Sequence, residues 1–431
     1  MPRHGVGTLE RILTSAVIAV LVAACGTGDS GAPPGDASVL RAAGVDRDLP
    51  PADAPVDATV HGMMAFGYNL YRASTEPASN AVISPLSIAY AFAMARAGAR
   101  GDTADQIDGV LRYPTDGVHD AFNAITRELV TAAGPPSPTA PPATGTVSAP
   151  PVLSIANGLF VQEGERLKEE FLRVLASEYG AGAVDFRSPE AIEIIDAWVR
   201  EQTADRIRKL FDELDPATKV VLGNAVYFKA DWAFPFAEHP TRTESFTRTD
   251  GSTVRVPMMR QEADLRYATG DSWQAVELPY ADSNLAMWVL VPTDQTTPGE
   301  LLAPDTFTDV AARLHPGRVD LSMPRWDFAT DLNLIPPLQD LGMEVPFEPG
   351  ADFSAMLPGV WIDQAVHRAN ITVDEWGTEA AAVTGLAFAT SLPPPPDVTI
   401  RADHPFVFAI VDTDNGTPLF IGHVADPTAT D

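Results

Sequence analysis

Three kinds of chemistry can be sought in the residues of this chain, and two find no support in their spacing. Serine, histidine and aspartate are all present, but no Gly-x-Ser-x-Gly elbow occurs, and the eight histidines stand in no recognisable catalytic context. There is no His-Glu-x-x-His, no Cys-x-x-Cys and no Cys/His cluster, so nothing points to a metal site or other cofactor. Cys25 is the only cysteine, which rules out an intramolecular disulfide. The third chemistry is passive: a segment that another enzyme could act on. From Val373 the chain reads Val-Asp-Glu-Trp-Gly-Thr-Glu-Ala-Ala-Ala-Val-Thr, and it then runs to four prolines, Pro393 to Pro396. A loop of that length needs a reason. Read at period two, Thr378, Ala380, Ala382, Thr384, Leu386 and Phe388 share one face, and Glu379, Ala381, Val383, Gly385, Ala387 and Ala389 share the other. The first set could be buried in a sheet while the second faces out. This is a loop with the pattern of a strand that has not yet been inserted.

Such a loop needs a sheet to receive it. The chain has 431 residues, 45% of them hydrophobic, enough for one large domain or two ordinary ones. Helical signals dominate the first half. Met63, Phe66 and Leu70 recur at helical spacing. Ser84-Pro85 is a cap followed by proline at the first helical position, opening a helix to about Ala97 that is apolar on most sides and so destined for burial. Ser188-Pro189 repeats the start signal ahead of Ile192, Ile195 and Val199. Strand signals dominate the second half. Lys219 to Lys229 is β-branched and aromatic, and Val319 to Trp326 is a further strand. Trp273 to Tyr280 and Leu285 to Val291 flank a hairpin turn, and Phe406 to Val411 and Leu419 to Val424 flank Asp414-Asn415-Gly416. Helices gathered first and strands later predict an α+β fold with antiparallel or mixed sheets.

The ends and inserts carry a different composition. Arg3 and Arg11 bracket a basic start, and an apolar run from Ile12 to Ala24 is too short to cross a bilayer. Residues 1–24 read as a signal peptide. Val22-Ala23-Ala24-Cys25 is similar to a bacterial lipobox, in which the cysteine becomes the lipidated first residue. Residues 25–57 are rich in Gly, Ala, Pro, Asp and Ser and are expected to be a flexible tether, with a reach of about 30 Å. The domain is expected over 58–431, interrupted by a proline-rich surface insert at 134–151. The net charge of −29 argues against nucleic acid, whose phosphates require Lys and Arg.

Several motifs in order resemble the serpin family across roughly residues 60–427. Asn80-Ala81-Val82-Ile83-Ser84-Pro85-Leu86-Ser87-Ile88 is similar to that family's second-helix entry, and Asn157-Gly158-Leu159-Phe160 to its following strand. Asn224-Ala225-Val226-Tyr227-Phe228-Lys229-Ala230-Asp231-Trp232 with Phe234-Pro235-Phe236 resembles the segment holding its central tryptophan. Val256-Pro257-Met258-Met259, Ala365-Val366-His367, His404-Pro405-Phe406 and Pro418-Leu419-Phe420-Ile421-Gly422 also match. The resemblance implies helices packed around three mixed β-sheets with an exposed reactive loop at 375–400. It implies a hinge at Glu375, Gly377, Thr378, Glu379, Ala380, Ala381 and Ala382. It places Trp232 and Arg325 where the loop first enters the sheet (the breach), Arg325 pairing with Glu375. It assigns Ser84, Asn224 and His367 to a buried polar cluster beneath the opening sheet (the shutter).

The function so implied is suicide inhibition of extracellular serine proteases: the cleaved loop inserts as a strand before the acyl-enzyme can be hydrolysed. No charge or proline stands on the inward face from Thr378 to Thr390 to stall insertion. The family's spacing from Gly377 places the cleaved bond at Ser391-Leu392, whereas aligning Ser391-Leu392-Pro393-Pro394 places it at Thr390-Ser391. No Lys or Arg occurs from Trp376 to Ile400, so elastase-like or subtilisin-like proteases fit better than trypsin-like ones. The expected partners are such a protease and, through the lipid on Cys25, a membrane; the protein is expected to be an extracytoplasmic monomer. Two features depart from the family pattern: Trp376 is bulky, and the loop is a few residues longer. A non-inhibitory binding module of the same fold is the alternative reading, and a serine hydrolase is a third.

Overall fold

The computed structural model describes residues 39–129, 151–187, 190–215, 218–237, 241–293, 296–379 and 395–430. The signal peptide, Cys25 and residues 380–394 lie outside the described residues. Ala380, Ala381, Ala382, Thr390, Ser391 and Leu392 are therefore outside them, as are Ser188-Pro189 and nearly all of the 134–151 insert.

The first half contains β1 (Val39–Leu40), α1 (Val56–Ser74), β2 (Ala81–Ile83), α2 (Pro85–Gly98), α3 (Gly101–Leu111), α4 (Val118–Leu129), β3 (Val152–Gln162), α5 (Glu169–Tyr179), β4 (Ala183–Phe186), α6 (Ala191–Gln202) and β5 (Val220–Asp231). The second half contains β6 (Arg242–Thr247), β7 (Thr253–Thr269), β8 (Trp273–Pro279), β9 (Leu285–Pro292), α7 (Pro298–Leu301), α8 (Pro304–Arg313), β10 (His315–Pro324), β11 (Trp326–Asn333), α9 (Ile335–Asp340), β12 (Ala365–Val373), β13 (Gly377–Thr378), β14 (Val398–Arg401), β15 (Phe406–Asp412) and β16 (Pro418–Val424). Helices first and strands later is the arrangement the composition predicts.

Among the described residues the strands form two sheets rather than three. One has the order β1-β4-β3-β5-β13-β12-β11; the other runs β14-β10-β7-β8-β9-β15-β16-β2, with β6 against β7. The expected third sheet merges into the second because β7 is long enough to serve both parts. Its residues Thr253–Met258 pair with β6, Met258–Tyr267 with β10, and Arg266–Thr269 with β8. The expected strand from Val319 to Trp326 is two strands that break at Arg325, so β10 and β11 belong to different sheets.

Helix α2 lies at the centre. Ser84 Oγ accepts a hydrogen bond from Ser87 N (3.1 Å), Pro85 occupies the first turn, and nearly every residue from Pro85 to Ala95 is buried. With no polar face, the helix must be covered on all sides, and β3, β5 and β16 are among the strands that pack on it. On the other face of the seven-stranded sheet, α6 buries Ile194, Ile195 and Val199 against Phe160, Val221 and Ala225. Gly158 is required there, because a Cβ would sit 2.4 Å from the Phe160 ring.

The N-terminal segment departs from the expected tether. From Val39 onward it is docked on the domain. Val39 and Leu40 add an antiparallel edge strand to Val184 and Ala183. Arg47 donates to Asn123 Oδ1 (2.9 Å) and Thr126 Oγ1 (2.6 Å), and Asp48 N donates to Ser177 O (2.8 Å). Composition missed this because Arg47 and a backbone ladder, not an apolar stripe, hold the segment.

Candidate functional site

The seven-stranded sheet is forked. In its lower part β5 and β12 pair directly and in parallel, from Leu222–Ala365 to Val226–Ala369. Above, β13 lies between them: Gly377 and Thr378 pair with Asp231 and Ala230 of β5, and Thr378 also with Val373 of β12, both antiparallel. The loop expected to be exposed from residue 375 thus starts inside the sheet. Glu375, Gly377, Thr378 and Glu379 are all buried, and Val398–Arg401 at its far end is strand β14 against β10. The period-two face that sends Thr378 inward is the reason: its hydroxyl meets Tyr280 Oη at 2.7 Å, and both residues are buried.

The breach is built around Trp232. Its ring stacks on Tyr280 (4.7 Å between centroids, 13° between planes), and its Nε1 donates to Asp374 O (3.0 Å). Trp232 N donates to Trp376 O (2.8 Å), and Phe236 N to Glu375 O (2.8 Å). Backbone and ring therefore fix residues 374–376. Glu375 is 2% exposed, and its Oε1 accepts from Arg325 Nε (2.9 Å), from the same guanidinium's Nη2, and from Thr241 Oγ1 (2.6 Å). Burying a carboxylate is costly unless donors such as these meet it. Asp374 closes the turn, its Oδ1 accepting from Trp376 N (2.8 Å) and Gly377 N (3.3 Å); burial nevertheless raises its pKa.

The shutter lies under the directly paired strands. His367 and Asn224 are register partners, and Asn157 of β3 stands on the other side of Asn224. His367 Nε2 accepts from Ser84 N (3.1 Å), so Nδ1 carries the proton and donates to Asn224 Oδ1. Asn224 Nδ2 donates to Ser87 O (2.8 Å), Ser87 Oγ (2.7 Å) and Asn157 Oδ1. Burial without a counter-charge pushes the His367 pKa down to about 3, so the ring is neutral at any ordinary pH. Every polar atom in this set has a use, as a buried network requires.

The structure thus brings Trp232, Arg325, Glu375, Gly377 and Thr378 together at the mouth of the sheet, and Ser84, Asn224 and His367 at its waist. Sequence reasoning missed Tyr280 and Thr241 in the first set, and Ser87 and Asn157 as hydrogen-bonding members of the second. Tyr280 ends an expected strand, but nothing in its neighbours points to Thr378.

The chain matches the family model described as Serpin (serine protease inhibitor) over residues 61–427. It is 36% identical over 380 residues to an uncharacterized serpin-like protein of Thermococcus kodakarensis, covering 85% of each chain. It is 33% identical over 383 residues to the leukocyte elastase inhibitor of Bos taurus, covering 84% of this chain and 97% of that one. The native-state crystal structure of the thermophilic serpin tengpin superposes with a TM-score of 0.77 at 25% identity, covering 88% of this chain and 97% of that one.

Proposed function

The chain belongs to the serpin family, and from that premise we propose that it is a suicide inhibitor of extracellular serine proteases rather than an enzyme. The observation that supports this best is β13, a strand begun by two hinge residues at the point where β5 and β12 part. A protease serine attacks the carbonyl of Thr390 or Ser391; an ester to the enzyme forms, and the amine of the next residue leaves with a proton. The freed loop then continues the register that Gly377 and Thr378 have started. Extended residue by residue, that register brings Ala380 opposite Phe228, Ala382 opposite Val226 and Thr384 opposite Asn224. About fourteen residues at roughly 3.3 Å each make about 46 Å of new strand. That movement drags the tethered protease and distorts the oxyanion site needed for deacylation.

The small hydroxyl residues at either candidate bond, and the absence of Lys or Arg from Trp376 to Ile400, favour elastase-like or subtilisin-like targets. The similarity to a leukocyte elastase inhibitor points the same way. Incubation with elastase, subtilisin, chymotrypsin and trypsin, followed by denaturing gels and mass spectrometry of the ester, tests the reading. A 1:1 complex with elastase or subtilisin, acylated on Thr390 or Ser391, is expected; trapping of trypsin alone overturns the specificity, and cleavage of the loop without a complex overturns the inhibition. The second reading, a non-inhibitory surface module, rests on Trp376, whose half-buried side chain would have to be accommodated as the hinge moves. The lipobox-like Cys25 leads us to place the protein outside the cytoplasm on a lipid anchor, which Cys25→Ala would release into the medium.

A further inference from the structure

Three non-glycine residues with left-handed backbone flank the ion pair between Arg206 and Glu379 at the fork. Glu379, where the chain leaves β13, has φ +54°, and Ala204 and Asp205, in the turn after α6, have φ +51° and +65°. Consecutive left-handed residues without glycine persist only where surrounding contacts hold them. Ala204 and Asp205 immediately precede Arg206, in the turn that follows α6. Thr203, fully buried, fixes that turn: its Oγ1 donates to Val199 O (2.7 Å) and accepts from Ile207 N (3.0 Å). Arg206 Nε then lies 3.3 Å from Glu379 Oε2, the arginine side chain half exposed and the glutamate 3% exposed. Glu379 N donates to Thr372 O (3.0 Å), which seats the residue at the end of β12.

We propose that Arg206 is a positioning residue for loop insertion: it retains the ionised Glu379 at the buried start of the loop and so sets how readily the loop enters the sheet. The inference rests on the insertion reading above. For Glu379 to extend as the next strand residue, its φ must leave the left-handed region and its carboxylate must leave Arg206. The remaining charged or titratable neighbours are Tyr227 and Lys229 of β5 and Asp327 of β11; the facing residue of β12 is the uncharged Thr372. Burial, reinforced by Asp327, raises the Glu379 pKa to about 7, while Arg206 and Lys229 pull it down. The ionised form is therefore the one under tension, and Arg206 offsets it more than Lys229 does. Once the residue is extended, the register of β13 sets it opposite Lys229 of β5, whose charge then takes over from Arg206 in offsetting the carboxylate.

The experiment follows the full uncleaved protein from pH 5 to pH 9 by two readouts. One is the rate of conversion to a heat-resistant form; the other is hydrogen exchange at Val226–Ala230 and Ala369–Val373. Arg206→Gln should open the fork faster than wild type above pH 7 and match it at pH 5, where Glu379 is protonated in both. Each unit by which the variant raises the Glu379 pKa corresponds to about a ten-fold acceleration. Glu379→Gln should be independent of pH over this range, and the double variant should behave as Glu379→Gln. An Arg206→Gln protein that matches wild type at pH 8, or is accelerated equally at pH 5 and pH 8, overturns the proposal. Fresh wild-type protein is assayed in parallel for covalent complex. If it forms none, the inhibitory reading fails, whereas a pH-dependent effect of Arg206 on exchange still stands.

Discussion

The two polar clusters under the seven-stranded sheet differ in charge, in burial and in what stands between the strands. At the mouth, a carboxylate is held by a half-exposed arginine, and two residues of the hinge already separate β5 from β12. At the waist, a neutral histidine, an asparagine and two serines are buried beneath strands that still pair directly, with the partly buried Asn157 beside them. On the proposed inhibitory reading, insertion would begin at the charged end and be held back at the neutral one. A strand that did advance from Thr378 in the same register would have to break the His367–Asn224 bond, since the register extrapolates residue 384 to that position. Charge near solvent can be rearranged at modest cost. A dry network gives way only when another partner replaces each of its bonds.

The strongest way to break this contrast is Thr378→Arg. Thr378 is 2% exposed and bonded to Tyr280, so a guanidinium cannot remain in its place. The expected outcome is a protein cleaved by its target with no covalent complex on denaturing gels; an undiminished complex would count against insertion.

A smaller effect separates the ends by pH. Because burial lowers the His367 pKa from 6.5 to about 3, the unfolded chain takes up a proton that the native protein refuses. Its contribution is complete above pH 6.5 and is lost as pH falls toward 3, roughly 3 kcal/mol by pH 4. Glu379 runs the other way: raised from 4.5 to about 7, it contributes fully below pH 4.5 and loses that contribution as pH rises to 7. Denaturation midpoints from pH 4 to pH 8 should therefore flatten on the acid side in His367→Gln and on the neutral side in Glu379→Gln. Parallel profiles for wild type and both variants would show that neither group governs its end.

The smallest effect belongs to Arg325→Gln. It leaves the Glu375 carboxylate with Thr241 as its side-chain donor, at a cost of about 1–2 kcal/mol once the arginine's exposure is allowed for. Chemical denaturation measures it, and a loss above that of His367→Gln at pH 7 would reverse the ranking of the two ends.

Much of the waist was legible in the sequence. Ser84-Pro85 announces its cap, β5 has strand composition, and the resemblance to the serpins implies that Ser84, Asn224 and His367 share one cluster. The β8–β9 and β15–β16 hairpins followed from local turn chemistry. What could not be read depends on pairing between distant residues. Nothing near Tyr280 announces Thr378, and nothing in the turn after α6 announces that Arg206 reaches Glu379. The break at Arg325 and the merging of two sheets through β7 are decisions of tertiary packing, which periodicity does not encode. The same limit explains the hinge: a segment patterned as a strand was expected outside the sheet, and its first residues are within it.

The two-residue strand β1 has a consequence for solubility. A sheet already forked at its centre is poorly served by a bare rim as well, because unpaired N–H and C=O groups recruit any strand that drifts past. Val39 and Leu40 cover β4 at that rim, and Arg47 and Asp48 pin the cover to α4 and α5. A chain shortened to residue 50 would keep its hinge, its breach and its shutter and still offer Ala183 and Val184 to its neighbours. Its defect would show as clumping at high concentration, with the fork of the seven-stranded sheet unchanged in each soluble molecule.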